Sequence, residues 1–163
     1  MMQIHGIISQ FPKEIKLLIA AFIVTLSIGF YLGIRFVNDT SNSNPQGIEE
    51  RYLGNEKDET ATVMKFKKSS QEVMILVHNH ILSLSVIFFL LGGILATTGI
   101  NKKLKAFLMI EPFVSILLTF GGIYFMWSGF LWFKYVIMIS GMLMTLTFIA
   151  STFFILQNLL IKK

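Results

Sequence analysis

The chain has 163 residues, enough for one domain, but its composition excludes an ordinary soluble one. Hydrophobic residues make up 54% of it and charged residues only 14%, whereas soluble domains carry roughly a quarter charged residues. The net charge of +5 comes mainly from lysines that flank apolar segments, so it does not indicate nucleic-acid binding. The absence of cysteine excludes disulfides, thiolate metal sites, iron–sulfur clusters and covalently attached haem.

Four long apolar runs predict four membrane-spanning helices. Each run reaches or exceeds the roughly 20 residues that cross a hydrocarbon core of about 30 Å, and none alternates with the period of two expected of a β-barrel. We therefore predict an all-α integral membrane protein, a four-helix transmembrane up-down bundle that forms one domain over residues 1–163. Its predicted helices cover residues of about 16–37, 70–100, 106–127 and 133–161, with an extracytoplasmic loop over 38–69.

The first run is predicted to stay in the membrane as an anchor. It is too long for the apolar region of a secretion signal, which spans about 7–15 residues, and no small-residue cleavage site follows it. Small residues recur along it at four-residue steps and end in a GxxxG pattern, which favours close helix packing in lipid. These residues are Ala21, Thr25, Gly29 and Gly33.

Each of the other helices also carries a stripe of small or polar residues. The stripes predict tight packing within the bundle, and the helix 1 stripe is the best suited to a homodimer or a larger membrane complex. The members are His78, Ser85, Gly92 and Gly99 in helix 2, Glu111, Ser115, Thr119 and Gly122 in helix 3, and Gly141, Thr145, Thr147 and Ser151 in helix 4.

The long loop after helix 1 is predicted to be partly helical. In "NPQGIEERYLGN", Asn44 suits an N-cap, Pro45 suits the first helical position and Gly54 suits a C-terminal stop. The pattern predicts a two-turn helix, with Ile48 and Tyr52 four residues apart and facing the membrane surface.

The residues before helix 2 indicate where that helix starts. Together with the other segments that flank the helices, they also indicate the orientation of the protein in the membrane. Ser69 and Glu72 have the spacing of a capping box, which places the helix start near Ser70. Lysine and arginine residues divide equally between the two sides but are denser in the short segments beside the termini. We therefore predict a multi-pass protein of the inner (plasma) membrane with both termini cytoplasmic.

Two histidines near the outer end of helix 2, in "VHNHILSLS", are candidate cofactor ligands. At about 100° per residue, His78 and His80 point roughly 200° apart, so a regular helix cannot direct both at one ion. His78 continues the small-residue stripe and is predicted to face the core. Met138, at a similar depth, could complete a His–Met pair for haem b, or Met74 and His78 could bind copper with it.

Two other interpretations of these histidines stay open. One places them at the membrane interface, with one imidazole hydrogen-bonded inside the bundle and the other among the headgroups. The other has them contact a quinone or a similar ligand. If haem binds, four cations of the long loop are predicted to neutralise its propionates or to contact a periplasmic partner. They are Arg51, Lys65, Lys67 and Lys68.

Glu111 is the only acid within an apolar run, about one turn into predicted helix 3. The following proline disfavours the α conformation at Glu111, so the helix is expected to kink there or to begin at Pro112. In one interpretation Glu111 reaches the interface or pairs with a nearby lysine. In the other it carries a proton or an ion, facing Ser115 and Thr119. The candidate lysines are Lys102, Lys103 and Lys105.

Three functional hypotheses follow. The first is a redox or electron-transfer subunit that binds haem b or copper through His78 or His80. The alternative is a cofactor-free accessory or assembly subunit of a larger membrane complex. The third is a small proton- or ion-coupled transporter that uses Glu111. The sequence shows no phosphate-binding loop, metalloprotease motif or nucleophile–base arrangement, so no enzyme is predicted.

Overall fold

A computed structural model describes residues 6–56 and 63–160, and all regular structure in these two ranges is helical. Four of its helical segments are long and apolar enough to cross a membrane, which confirms the predicted all-α class. The elements are a 3₁₀ turn, Ile7–Gln10, and the helices α1, Lys13–Ser41; α2, Pro45–Leu53; α3, Ser70–Ala96; α4, Lys102–Ile116; α5, Gly122–Trp127; and α6, Phe133–Leu160. A π-helical segment, Leu117–Gly121, joins α4 to α5, so the third membrane span is Lys102–Trp127.

Polar side chains cap the starts of α2, α3 and α4, and the cap of α4 lies outside the predicted limits. The predicted capping box is confirmed, because Ser69 and Glu72 bond each other's backbone and α3 starts at the next residue. The third span starts four residues earlier than predicted, since the Asn101 side chain accepts a hydrogen bond from the Lys103 N–H at 2.9 Å. Hydropathy marks where a helix enters lipid, whereas caps mark where its hydrogen bonds begin.

The short helix α2 forms as predicted but faces a different surface. Asn44 caps it by accepting from the Gly47 N–H at 2.7 Å, and Gly54 ends it with a φ of 81°. The predicted orientation of Ile48 and Tyr52 toward the membrane surface is wrong, because both side chains are buried in the protein core. Burial raises the pKa of the Tyr52 phenol above its usual value, against a smaller opposing effect of the neighbouring arginine.

One end of the bundle, here called the loop side, is tied together by α2 and the segment before α3. Lys134, at the start of α6, forms an ion pair of 2.6 Å with Glu49 of α2. The indole N–H of Trp127 donates to the Lys68 carbonyl at 2.8 Å. These contacts bring the end of the third span and the start of the fourth together with α2.

The opposite end, here called the terminal side, gathers the N-terminal segment, the α3–α4 turn and the end of α6. The Gly6 N–H donates to the Thr98 carbonyl at 3.2 Å, and the Gly99 N–H donates to the Asn158 side chain at 3.0 Å. The Lys105 ammonium donates to the Ala96 carbonyl at 2.9 Å. The end of α3, the start of α4 and the end of α6 therefore meet on the terminal side.

The third span and α6 form the centre of the bundle. The hydroxyl oxygens of Thr119 and Ser140 are 2.7 Å apart, and a Cβ added at Gly122 would lie 3.0 Å from the Ile137 side chain. Both contacts belong to one antiparallel register, and glycine allows the two backbones to approach closely. These two spans bury much more of their length than α1 and α3 do.

Helix α1 lies at the periphery. Ile19 and Ile23 are buried, and Phe30 stacks on Phe148 of α6 with ring centroids 3.9 Å apart. The predicted small-residue stripe of α1 is exposed, with no atom within 4 Å of a Cβ added at Gly29 or Gly33. The prediction that every stripe packs within the bundle is therefore wrong for α1.

Candidate intramembrane site

Glu111 lies within a continuous helix rather than at its start. The helix runs without a break from Lys102 through Pro112, so the expectation that it begins at Pro112 is wrong. Glu111 follows Lys102 by nine residues, which at about 1.5 Å per residue places it roughly 13 Å along the axis. That position is more than two turns from the helix start and five residues after Ala106, where the apolar run begins.

The two carboxylate oxygens of Glu111 have different surroundings. Oε1 accepts a short hydrogen bond from the Ser115 hydroxyl, one helical turn further on. Oε2 is buried and has no hydrogen-bond partner, and it is the only such side-chain atom in the two ranges that the structure describes. Native proteins contain few buried polar atoms without a partner, so each one requires an explanation.

The proposed pairing of Glu111 with a lysine is not found. Among the described residues, none of the ion pairs involves Glu111. The Lys105 ammonium instead donates to the Ala96 and Thr98 carbonyls at the end of α3, and Lys102 and Lys103 are exposed. Within residues 6–56 and 63–160, these basic side chains therefore belong to the terminal side and form no ion pair with Glu111.

Pro112 adds a second polar group without its usual helical partner. Proline has no N–H, so the carbonyl of Leu108, four residues earlier, cannot receive its i→i−4 hydrogen bond from this position. The Glu111 side chain branches from the adjacent residue. The helix thus carries, three residues apart in sequence, a backbone acceptor without its usual donor and a carboxyl oxygen without a partner.

Buried hydroxyl groups continue from Glu111 toward the loop side. Ser115 and Thr119 lie one and two turns further along the same helix face, and both are buried. Thr119 belongs to the π-helical segment and meets the buried Ser140 of α6 at 2.7 Å. Ser140 also donates to the Val136 carbonyl at 2.7 Å, as hydroxyls in membrane helices commonly do.

The π-helical segment was not predicted, and neither was the contribution of Ser140. A π turn shifts the residues that follow it around the helix axis, so Thr119 faces α6 while the next residue, Phe120, stacks on His80 of α3 with centroids 4.7 Å apart. No residue type signals such a turn. The Thr119–Ser140 contact joins residues of two helices and depends on their register, which is a tertiary property.

The predicted core position of His78 is wrong, because its side chain is exposed on α3. The buried face of α3 follows larger apolar side chains, such as Val73, Phe88 and Leu95, and His78 lies outside it. His80 is also exposed, and its Nδ1 lies 2.8 Å from the Leu76 carbonyl. A carbonyl only accepts, so this nitrogen carries the proton and Nε2 is the basic one.

The methionines predicted as ligands have unlike surroundings. Met74 is exposed on α3, whereas Met138 is partly buried against the core. Of the two surface cavities described below, neither is lined by these methionines or by a histidine. No group of three or more histidine, aspartate or glutamate side chains suited to a metal ion occurs in residues 6–56 and 63–160.

Three of the four predicted cations line one cavity on the loop side. Arg51, Lys65 and Lys68 surround a space of about 460 Å³ between α1, α2 and the segment before α3. Lys67 lies outside this cavity, with its ammonium 5.0 Å from the centre of the Trp127 ring. A second cavity, about 630 Å³, lies on the exposed face of α3 and is lined by residues that include Asn79 and Ser83.

The chain belongs to the Aq_1264_TM family, a transmembrane helical domain, which it matches over residues 42–163. The match includes α2 to α6 and therefore Glu111, Ser115 and Ser140, whereas α1 ends one residue before it. No curated protein and no solved structure matches the chain. The chain is thus a small polytopic membrane protein that contains a transmembrane helical domain.

Proposed function

We propose that the chain is a small proton-carrying membrane protein in which Glu111 binds and releases the proton. The observation that carries this proposal is the buried Oε2 atom of Glu111, which has no hydrogen-bond partner. A polar group buried without a partner costs free energy, and ionisable residues inside membranes usually mark ion or proton pathways. Protonation would neutralise the carboxyl group and give it a donor.

A proton suits the site better than a metal cation. Calcium takes six to eight oxygen ligands and magnesium takes six, in general, and Glu111 with Ser115 supplies only the beginning of such a set. A proton requires one basic oxygen. The Leu108 carbonyl, three residues before Glu111 and left without its i→i−4 donor by Pro112, is an acceptor of the kind that a protonated carboxyl group requires.

The buried hydroxyls support a route from Glu111 toward the loop side. A hydroxyl both donates and accepts hydrogen bonds, so a series of them can order water or pass on a proton. Thr119 follows Glu111 by eight residues, or about 12 Å at the α-helical rise. The Thr119–Ser140 pair therefore extends the polar interior from Glu111 toward the loop side, along the contact of the third span with α6. We place this loop side outside the cell, with both termini cytoplasmic in the inner membrane.

Proton flux in proteoliposomes tests the function. Purified protein is reconstituted with a pH-sensitive dye inside the vesicles, and a potassium gradient with valinomycin supplies the driving force. We expect acidification that Glu111→Gln abolishes, because the amide cannot take up a proton. Glu14→Gln, which neutralises an exposed acid at the start of α1, is the matched control and should retain the flux. Equal acidification with the wild-type protein and Glu111→Gln would contradict the proposal.

A second candidate function is lateral association in the membrane, as an accessory or assembly subunit. A specific observation favours it: the α1 stripe is exposed, whereas Ser115, Thr119 and Gly122 of the third span are buried within the bundle. Small residues allow backbones to approach closely, and this packing drives helix association in lipid. A second transmembrane helix, from another copy of the chain, is the occupant that we propose for the α1 face.

Disulfide crosslinking tests this association, because the chain has no cysteine of its own. Gly33→Cys places a thiol on the α1 stripe, and Tyr31→Cys places one at a similar depth about 200° around the helix. We expect an oxidised dimer only with Gly33→Cys. Equal crosslinking at both positions, or at neither, would exclude a specific dimer through this face.

The haem or copper hypothesis stays a prediction with less support. His78 and Met74 are exposed on α3, while Met138 packs against the core, so their surroundings differ from those of a shared enclosed ligand pocket. His80 keeps a basic Nε2 but lies against Phe120. An electron-transfer role would require a cofactor that these side chains hold together.

A further inference from the structure

We propose that the cavity on the loop side binds the phosphate headgroup of an anionic phospholipid. The cavity has a volume of about 460 Å³ and carries cationic, hydroxyl and aromatic side chains. This inference is independent of proton transfer at Glu111, which lies in the third span, away from the residues that line the cavity. The lining residues are Phe36, Asp39, Thr40, Arg51, Lys65, Phe66 and Lys68.

The cavity lies at the height expected of lipid headgroups. Helix α1 has 29 residues, and about 20 of them cross the hydrocarbon core. The last turn of α1, which includes Asp39 and Thr40, therefore projects beyond the hydrocarbon. Below the cavity, Leu32 and Phe36 of α1 are both 60% exposed, so an acyl chain can follow this surface from a headgroup into the bilayer.

Arg51 is the cation of the cavity that is best positioned to bind a phosphate. Its guanidinium group donates to the Thr40 hydroxyl and lies 4.8 Å from the centre of the Phe36 ring and 5.5 Å from that of Tyr52. None of the ion pairs among the described residues involves Arg51. A guanidinium held in place with its charge unneutralised suits bidentate binding of a phosphate.

The two lysines can shift toward the same phosphate at little cost. Lys65 pairs with Glu50 and Lys68 pairs with Glu72, each at 3.4 Å, and both pairs are partly exposed. Such pairs contribute little stability in solvent. The cavity itself is lined by three cations and one acid, and the acid, Asp39, can accept hydrogen bonds from headgroup hydroxyls. This chemistry fits phosphatidylglycerol better than a zwitterionic lipid.

The segment before α3 provides a second lipid-facing wall. Phe66 is 72% exposed and Met64 is 53% exposed, and they alternate with Lys65 and Lys67. Alternating aromatic or apolar and basic side chains are typical of segments at a membrane interface, where the apolar groups enter the lipid and the ammonium groups meet phosphates.

Thermal unfolding of the delipidated protein in neutral detergent tests the site. The midpoint is measured with added phosphatidylglycerol, with phosphatidylcholine and with inorganic phosphate. We expect stabilisation by phosphatidylglycerol, at least tenfold weaker apparent binding with Arg51→Gln, and unchanged binding with Arg35→Gln, an exposed arginine of α1 outside the cavity. The expected tenfold loss corresponds to about 1.4 kcal/mol, because the variant loses charge-assisted hydrogen bonds to the phosphate.

Each other outcome overturns the proposal in a distinct way. Equal stabilisation by inorganic phosphate would assign the cavity to a soluble phosphate. Equal stabilisation by phosphatidylcholine would mean that any lipid stabilises the protein. Equal weakening of binding by Arg35→Gln would mean that the overall positive charge, and not this cavity, binds the lipid. If Arg51→Gln fails to fold, Lys65→Gln replaces it, and unaltered phosphatidylglycerol binding by that variant would overturn the proposed set of cations.

Discussion

Replacing Glu111 with leucine should stabilise the protein while it removes the proposed function. Oε2 is buried without a partner, and a buried polar group in this state costs about 1–3 kcal/mol. Leucine has a similar volume and no polar atom. The Ser115 hydroxyl loses its acceptor but can donate to a carbonyl of the preceding turn, as Ser140 does. We therefore expect Glu111→Leu to raise the free energy of unfolding by about 1–2 kcal/mol.

Reversible unfolding in mixed micelles of increasing sodium dodecyl sulfate content measures this change. Ser115→Ala in the Glu111→Leu background serves as the control and should add less than about 0.5 kcal/mol, since the hydroxyl then no longer has the Glu111 carboxyl group as its partner. A destabilisation of more than 1 kcal/mol by Glu111→Leu would refute the reasoning. It would mean that the carboxyl group has a partner that holds the bundle together.

Three further predictions concern the packing, the loop side and the histidines. Gly122→Val should destabilise the bundle by about 1–3 kcal/mol, because a Cβ there meets α6 at 3.0 Å, whereas Gly121→Val, with no atom within 4 Å, should cost less in the same unfolding assay. Burial raises the pKa of the Tyr52 phenol in the folded protein, so the folded state favours the neutral phenol. The contribution of this phenol to the free energy of unfolding is therefore fully present below the ordinary tyrosine pKa. It is lost as the pH rises through the pKa of Tyr52 in the folded protein. Tyr52→Phe should therefore flatten the alkaline part of a stability–pH curve, and an unaltered slope would contradict the burial effect. If haem binds through the histidines, an oxidised-minus-reduced visible spectrum should show a Soret band that His78→Ala removes, while a full spectrum in that variant would exclude His78 as an axial ligand.

Local signals in the sequence were sufficient to predict the short helix α2 and the start of α3. The "NPQGIEERYLGN" helix, its Asn44 cap and its Gly54 stop depend on neighbouring residues alone, as does the Ser69–Glu72 capping box. Apolar length likewise identifies spans, because lipid requires it of any crossing helix. The cap at Asn101 was missed, since apolar length alone set the predicted start of the third helix.

The faces of the helices were harder to predict, because lipid and core are both apolar. In a soluble protein, hydropathy separates the buried face from the exposed one, but a membrane helix is apolar on both. His78 was therefore assigned to the core through a stripe of small residues, although larger side chains define the buried face of α3. The exposed stripe of α1 shows the same difficulty.

The Glu111 site was predicted in part. Helical spacing predicts that Glu111, Ser115 and Thr119 lie on one face of the helix. The hydrogen bond from the Ser115 hydroxyl to Glu111 shows that the first two of these side chains meet. The helix around it was predicted to start too late, because it begins at Lys102 and continues through Pro112. The role of Ser140 depends on the register of two helices, and the π-helical segment that directs Thr119 has no sequence signal.

The most direct test of proton binding at Glu111 is labelling with dicyclohexylcarbodiimide, a hydrophobic reagent that modifies protonated carboxyl groups in apolar sites. The protein is treated in membranes at neutral pH and the modified peptide is identified by mass spectrometry. We predict modification at Glu111 that decreases as the pH is raised and that is absent in Glu111→Gln. An unmodified Glu111, under conditions in which the reagent enters the membrane and labels an added control protein, would contradict the proposal that this carboxyl group holds a proton.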